Sequence, residues 1–347
     1  MAFFGVTSEE INEIKPHTNA DRLELATLKG LDFQFVVLKG QFKTGDKVLY
    51  FPLDSLLTPA ILEKLGLVGK LSGKDRNRVK TVRLRGETSQ GLVSDLSIIA
   101  GIGKENPTTE EITAFLGVTK YEPPIIPCHS GLLVRLPEGQ SVYDIEGCDR
   151  FPDVAKELID VPVLISEKLE GSNLSLTQTK DGEIFVNQRN YSIQPVEGFE
   201  HDWWKVAKEQ GLIDWVKKNF PNQHIVIYGE MIGPGIQGNY YGLKAHEVRI
   251  FDIWIDGNFL NGKDFLDVVK YREGLKTVPM ISTSITLSEW LRNRSIKEAS
   301  TGDSILAPGK LREGIVIRPM LDEMRNEKIG RLIVKQRSPE YLTGSEF

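Results

Sequence analysis

The stretch Ser166-Glu167-Lys168-Leu169-Glu170-Gly171-Ser172-Asn173 stands at the end of the apolar run 161–166 (VPVLIS). That run reads as a buried strand. A lysine therefore leaves the end of a strand just ahead of a glycine-containing turn. Lysine attacks only as the neutral amine, so a reactive lysine must lie where proton loss is eased. A strand-end lysine followed by a glycine that admits a phosphate suits attack on the α-phosphorus of a nucleotide. Taken alone, K-x-x-G describes an exposed lysine beside an ordinary turn equally well.

The downstream segments narrow the choice. Residues 183–190 (EIFVNQRN) read as a strand ending near Arg189, and Asp181-Gly182 ahead of it is a hairpin-turn signal. Residues 225–230 (IVIYGE) are a strand closing on Glu230, and 249–254 (RIFDIW) place Phe251 and Asp252 inside another. Residues 313–319 (EGIVIRP) open a strand with Glu313, and 333–337 (IVKQR) close one with Lys335 and Arg337 on one face. Each piece has a plain explanation: a solvated strand end, or a core aromatic. Those explanations give no reason for the pieces to occur together in this order. Helices are expected at 154–159, 201–219 and 288–294, the second the most clearly amphipathic.

Upstream, residues 1–100 read as all-β. The runs 23–28 (LELATL), 33–38 (FQFVVL), 47–51 (KVLYF) and 79–84 (VKTVRL) are separated by Lys29-Gly30, Lys39-Gly40, Gly45-Asp46 and Arg85-Gly86 turns. A small OB-like barrel is the economical arrangement at this length. Residues 101–127 read as a short helix followed by a linker stiffened by Pro123, Pro124 and Pro127. The expected division is 1–105 for the barrel, 106–127 for the linker and 128–347 for a second, mixed domain.

Composition agrees with two soluble domains. The chain has 347 residues, 40% hydrophobic and 26% charged. No apolar run approaches a membrane span, and the N-terminus reaches acidic residues too early for a secretory signal. Cys128 and Cys148 make no disulfide framework, so a reducing cytoplasm is expected, and Cys128-His129 lacks zinc-ligand spacing. The net charge is -5, yet eight basic residues against the single acid Asp75 fall between Lys64 and Arg85. On a barrel, Lys74, Arg76, Arg78, Lys80, Arg83 and Arg85 are candidates for nucleic-acid phosphates.

The ordered series resembles the covalent nucleotidyltransferase superfamily of polynucleotide ligases and capping enzymes. The form Glu167-Lys168-x-x-Gly171-Ser172-Asn173, and the loop from Gly233 to Asn239, are most similar to nick-sealing ATP-dependent RNA ligases. The resemblance covers about residues 150–341. The stretch 14–23 also resembles OB domains of the tRNA-binding type, and few residues follow Arg337, so the OB module is expected ahead of the catalytic domain.

The resemblance implies an α+β chain: an N-terminal OB-like barrel, then a mixed α/β nucleotidyltransferase domain on antiparallel sheets. Lys168 would carry AMP as a phosphoramidate. Glu167 would read the adenine edge, Arg189 the nucleotide and 5′-phosphate strand, Glu230 the ribose, and Phe251 would stack on adenine. Glu313 and Asn173 would serve the metal, and Lys335 and Arg337 the α-phosphate, although many relatives have lysine at the second place. ATP and Mg²⁺ or Mn²⁺ are the implied substrate and ion. The implied protein is a cytoplasmic monomer acting on RNA ends or nicked duplexes, with no membrane. A GTP-using capping-type transferase and a non-catalytic nucleic-acid-binding protein are the alternatives.

Overall fold

The structure is a computed structural model that describes residues 3–122, 133–270 and 275–344. The chain divides into two compact units. One comprises Ala2–Pro124 with Cys148–Asp153 and Leu342–Phe347; the other comprises Ile125–Gly147 and Val154–Tyr341. Cys128 and His129 lie outside the described residues. Among the described residues, no helix is long and apolar enough to cross a membrane.

The N-terminal unit is built on a five-stranded antiparallel sheet. Its strand order is Gln34–Leu38, Leu23–Leu28, Thr7–Pro16, Lys47–Phe51 and Leu92–Ser94. The central strand Thr7–Pro16 (TSEEINEIKP) is absent from the sequence reading for a physical reason. Only Thr7 and Ile11 on it are buried, and a bulge between Ile11 and Glu13 breaks the alternation that marks a strand. Phe33, Phe35, Tyr50 and Val48 fill one side of the core. Val6, Leu49, Phe51 and Leu57 fill another, together with Ile112 and Leu116. Those last two belong to the helix Thr109–Leu116, which lies inside the stretch read as linker. Thr108 and Glu111 form its capping box, and Gly117 at φ 64° ends it.

The second unit carries two large sheets, besides the two-stranded pair Arg325–Asn326 and Gly330–Arg331. The seven-stranded sheet runs Leu133–Arg135, Tyr191–Ile193, Ile184–Asn187, Ser172–Gln178, Ile225–Ile232, Glu247–Ile255 and Asn258–Phe259. The five-stranded sheet runs Glu146–Gly147, Val334–Arg337, Gly314–Pro319, Pro162–Lys168 and Met280–Thr286. Its pairings are antiparallel except the parallel one between Glu146–Gly147 and Val334–Arg337. Residues 201–219 form two helices, Asp202–Glu209 and Leu212–Asn219, where the sequence suggests one. Gly211 at φ 61° makes the break. Folding the segment back lets Trp203, Val206, Leu212, Trp215 and Val216 all pack on the seven-stranded sheet.

The quoted stretch is the crossing between these sheets. Lys168 ends an internal strand of the five-stranded sheet, and Ser172 begins a strand of the seven-stranded one. Three residues, Leu169 to Gly171, make the passage.

Candidate active site

Lys168 ends its strand opposite Gly314, and Gly314 in turn pairs with Arg337. A side chain at position 314 would meet the Gln336 carbonyl oxygen at 2.2 Å, so glycine is what lets these three strands close up. Gly171 has a similar task. A Cβ there would stand 2.6 Å from the Met231 carbonyl oxygen and 2.7 Å from Glu230 Cγ. The glycine of K-x-x-G thus brings the crossing against the strand that carries Glu230. The sequence reading gave it instead to the approach of a phosphate.

Lys168 Nζ donates to Glu313 Oε2 at 2.7 Å. Burial works against the charge on Lys168. Glu313, then Glu230, then Glu170 outweigh it and raise the pKa above the usual lysine value. The same crowding falls on the acids. Glu230 is pushed up to about 8, first by burial and then by Glu313 and Glu170 against the opposing pull of Lys168. Glu170 is also raised, chiefly by burial and by Glu313. One lysine is therefore faced by three carboxylates in a shielded place.

The remaining cations gather beside this group. Lys335 and Arg337 alternate on their strand with Gln336 buried between them. Burial pulls Lys335 down to about 8; Asp144 opposes this, while Lys168, Arg337 and Arg189 add to it. Arg189 Nη2 donates to Asp144 Oδ2 at 2.9 Å. Asn173 pairs directly with Glu230 across adjacent strands, so the two side chains share a sheet face.

Phe251 sits at an irregularity in its sheet. Tyr228 pairs with Asp252 and Gly229 with Ile250, which leaves Phe251 as the extra residue of a bulge. Its ring packs against the buried cluster of Leu169, Ile232, Tyr241 and Val278. Glu167 is 1% exposed. Its Oε2 accepts from the Ile305 N–H at 2.8 Å; its Oε1 is buried and makes no hydrogen bond of its own, although the Ser304 hydroxyl stands close enough to the carboxylate to oppose the effect of burial. Burial raises its pKa. An unpaired buried acceptor of this kind is costly without a ligand to donate to it.

The structure thus gathers Lys168, Glu230, Glu313, Arg189, Lys335 and Arg337 into one charged group, with Asn173 beside Glu230. Glu167 adjoins Lys168 in the chain, and Phe251 packs against the cluster that holds Leu169. Further residues belong to the same place: Glu170, expected from the sequence only to raise the lysine's pKa, and Tyr341, Tyr241 and Asp144, which the sequence did not single out. Glu170 Oε2 accepts from Tyr341 Oη at 2.6 Å, and the Glu170 N–H donates to Tyr241 Oη at 2.7 Å. Glu170 lies inside the quoted stretch, so its position was visible; Tyr341 and Asp144 have no local pattern to mark them.

The basic candidates of the N-terminal unit separate into kinds. Arg78 is structural: it donates to Asp54 at 2.6 and 3.0 Å and lies over the Tyr121 ring at 3.5 Å. Lys74, Arg76, Arg83 and Arg85 are exposed, and Lys80 is half-buried. Arg83 and Arg85 stand on the hairpin of Thr81–Leu84 and Glu87–Gln90. Its turn puts Arg85 at φ 52° and Gly86 at φ 98°, as a tight hairpin requires. His17 Nε2 meets the Leu84 carbonyl at 3.0 Å, and Asn19 Nδ2 donates to the Arg85 carbonyl at 3.3 Å.

Comparison with known proteins gives a consistent picture. The family model described as RNA ligase matches residues 161–336, just over half of the chain. An OB-fold domain model matches residues 5–96. The chain is similar to the Naegleria gruberi RNA ligase solved with PPi, at 26% identity and TM-score 0.80 over 98% of each chain. An arginine-to-alanine mutant of that ligase with ATP and Mn matches at 26% identity and TM-score 0.80 over 97% of each. A lysine-to-methionine mutant with AMP and Mn matches at 26% and 0.79 over 97% of each. No curated protein matches.

Proposed function

The chain belongs to the RNA ligase family, and from that premise we propose that it joins a 3′-OH to a 5′-phosphate end through AMP carried on Lys168. The observation that carries the reading is the group around Lys168: a half-buried strand-end amine among three carboxylates, with Lys335, Arg337 and Arg189 alongside. The related ligase structures hold ATP, AMP and Mn, which supports ATP as the substrate and a divalent metal as the ion.

The residues present fit both. Glu167 Oε1 is a buried acceptor in want of a donor, which suits an exocyclic amino group of adenine. Phe251 offers a ring face, and Glu230 an acceptor for ribose hydroxyls. The acids around Lys168 supply hard oxygen donors, the kind Mg²⁺ and Mn²⁺ take. Among the described residues no three of His, Cys, Asp and Glu are placed to cage an ion. Such an ion needs only one or two carboxylates when phosphate oxygens and water complete its shell. Glu313 and Asn173 would hold it, and it would neutralise charge on the triphosphate.

The reaction has three steps. The Lys168 amine attacks the α-phosphorus of ATP, an N–P bond forms, and the bond to pyrophosphate breaks. AMP then passes to a 5′-phosphate, and finally a 3′-OH displaces AMP. Before the first step Lys168 must lose a proton. In the free protein Glu313 is the leading charge that keeps it protonated. When the Glu313 charge is engaged elsewhere, burial favours the neutral amine. Lys335 and Arg337 stabilise charge on the α-phosphate and the leaving group.

The preferred substrate is a nick in a duplex with RNA on the 3′-OH side, held in part by phosphate contacts from Arg83, Arg85, Lys74 and Arg76. The protein acts as a cytoplasmic monomer; the scarcity of cysteine supports a reducing compartment. A joining assay tests the reading. A 5′-labelled nicked duplex with RNA at the 3′-OH should be sealed with ATP and Mn²⁺, and an all-DNA nick should be sealed poorly. No product from either duplex, or from RNA ends without a template, would contradict the proposal.

A further inference from the structure

The cations expected to meet phosphate already hold a carboxylate. Asp144 Oδ2 accepts from Arg189 Nη2 at 2.9 Å, and Asp144 Oδ1 lies 3.7 Å from Lys335 Nζ. The Asp144 side chain is 7% exposed, against 41% for Arg189 and 28% for Lys335. Two oxygens of one planar anion thus meet an arginine and a lysine, an arrangement that phosphate oxygens can reproduce.

The carboxylate is fixed and the cations are the movable partners. Ile145 N–H donates to Asp144 Oδ1 at 3.0 Å. On one side Tyr143 Oη donates to the buried Asp252 at 2.6 Å, and its ring lies 5.0 Å from that of Phe251. On the other side Glu146 and Gly147 pair with Val334 and Lys335 in the sheet. The chain around Asp144 is therefore held at both ends, whereas Arg189 and Lys335 reach it on long, flexible stems.

We propose that Asp144 is a built-in counter-ion that pairs with Arg189 and Lys335 in the free protein and competes with the polyphosphate of the nucleotide for them. It sets how tightly the site holds ATP and how readily it releases pyrophosphate. Asp144 touches none of the reacting atoms and acts through the two cations. This inference rests on the nucleotide reading of the site given above.

The test is equilibrium binding of inorganic pyrophosphate and of ATP, by calorimetry in EDTA, to the whole protein and to Asp144→Asn. Removing a competing negative charge should tighten pyrophosphate binding at least about fivefold. Asp144→Glu, which keeps the charge, should stay closer to the unaltered protein. Structural damage alone would not tighten binding. Equal or weaker binding by Asp144→Asn, with the unaltered protein binding normally, overturns this inference and leaves the nucleotide reading standing. Failure of the unaltered protein to bind either ligand overturns both. Should Asp144→Asn not melt cooperatively, Asp144→Ser takes its place with the same outcomes.

Discussion

The second unit buries charge twice, within a few residues of the same strand. Around Asp252, which is 0% exposed, the signs balance. Arg318 and Arg331 both donate to its carboxylate, Tyr143 adds a hydroxyl, and Glu323 lies 3.6 Å from Arg331. Burial would raise the Asp252 pKa, yet the two arginines hold it below the usual carboxylate range. Around Lys168 the acids crowd one another: Glu313, Glu230 and Glu170 face one ammonium, with Arg189, Lys335 and Arg337 beside them, and Glu230 is pushed up to about 8. A balanced cluster has its partners already. A crowded one leaves a carboxylate whose charged form is disfavoured. Phe251 and Asp252 are adjacent on one bulged strand, and Tyr143 touches both, its hydroxyl on Asp252 and its ring 5.0 Å from Phe251.

That contrast can be broken experimentally. The largest effect should come from Asp252→Asn, which leaves Arg318 and Arg331 buried without their carboxylate. A loss of ~3–5 kcal/mol of stability is expected, read from denaturant melts. A loss near zero would mean the balanced cluster is not structural.

Glu230→Gln should move the other way. Its folded pKa is raised, so the native state holds more protons than the unfolded chain between the ordinary glutamate range and about 8. Stability therefore falls as pH rises through that window. Replacing the group should raise the melting temperature by ~2–5 °C at neutral pH while joining falls by at least ~100-fold. A lower melting temperature would contradict the idea that crowding of the acids costs stability.

Lys335 sharpens the comparison through pH. Its pKa is pulled down to about 8, so in the free protein it is charged below that value and loses its charge above it. The kcat/KM for adenylyl transfer should fall above about pH 8. Lys335→Arg, charged throughout, should move that fall upward by ~1 unit or more, from a lower plateau. An unmoved fall would assign it to another group. The smallest effect belongs to the exposed hairpin. Arg83→Ala with Arg85→Ala should weaken nick sealing ~3–10-fold, less at higher salt, and leave adenylyl transfer unchanged.

How much of this was legible depended on distance along the chain. The strands that carry Lys168, Glu230, Phe251 and Lys335, and those that flank Arg189 and Glu313, announce themselves by local apolar runs, and the order of those runs pointed to the site. The turn at Arg85-Gly86 was equally local. The strand Met280–Thr286 was not visible because much of it faces outward. The split of the helical segment at Gly211 was missed because both halves share one amphipathic pattern. Arg78 looked like its basic neighbours, and only Asp54 and Tyr121, distant in sequence, set it apart. Asp144 gains its meaning from Arg189 and Lys335 in the same way, and no run of residues records such pairings.

The central claim is that Lys168 accepts AMP. The direct measurement is covalent label transfer from ATP labelled at the α-phosphate, with Mn²⁺, followed by denaturation and a gel. The account predicts acid-labile label on the unaltered protein and none on Lys168→Ala of unchanged melting temperature. Label that persists in Lys168→Ala, or no label on a folded, nucleotide-free preparation of the unaltered protein, would contradict it.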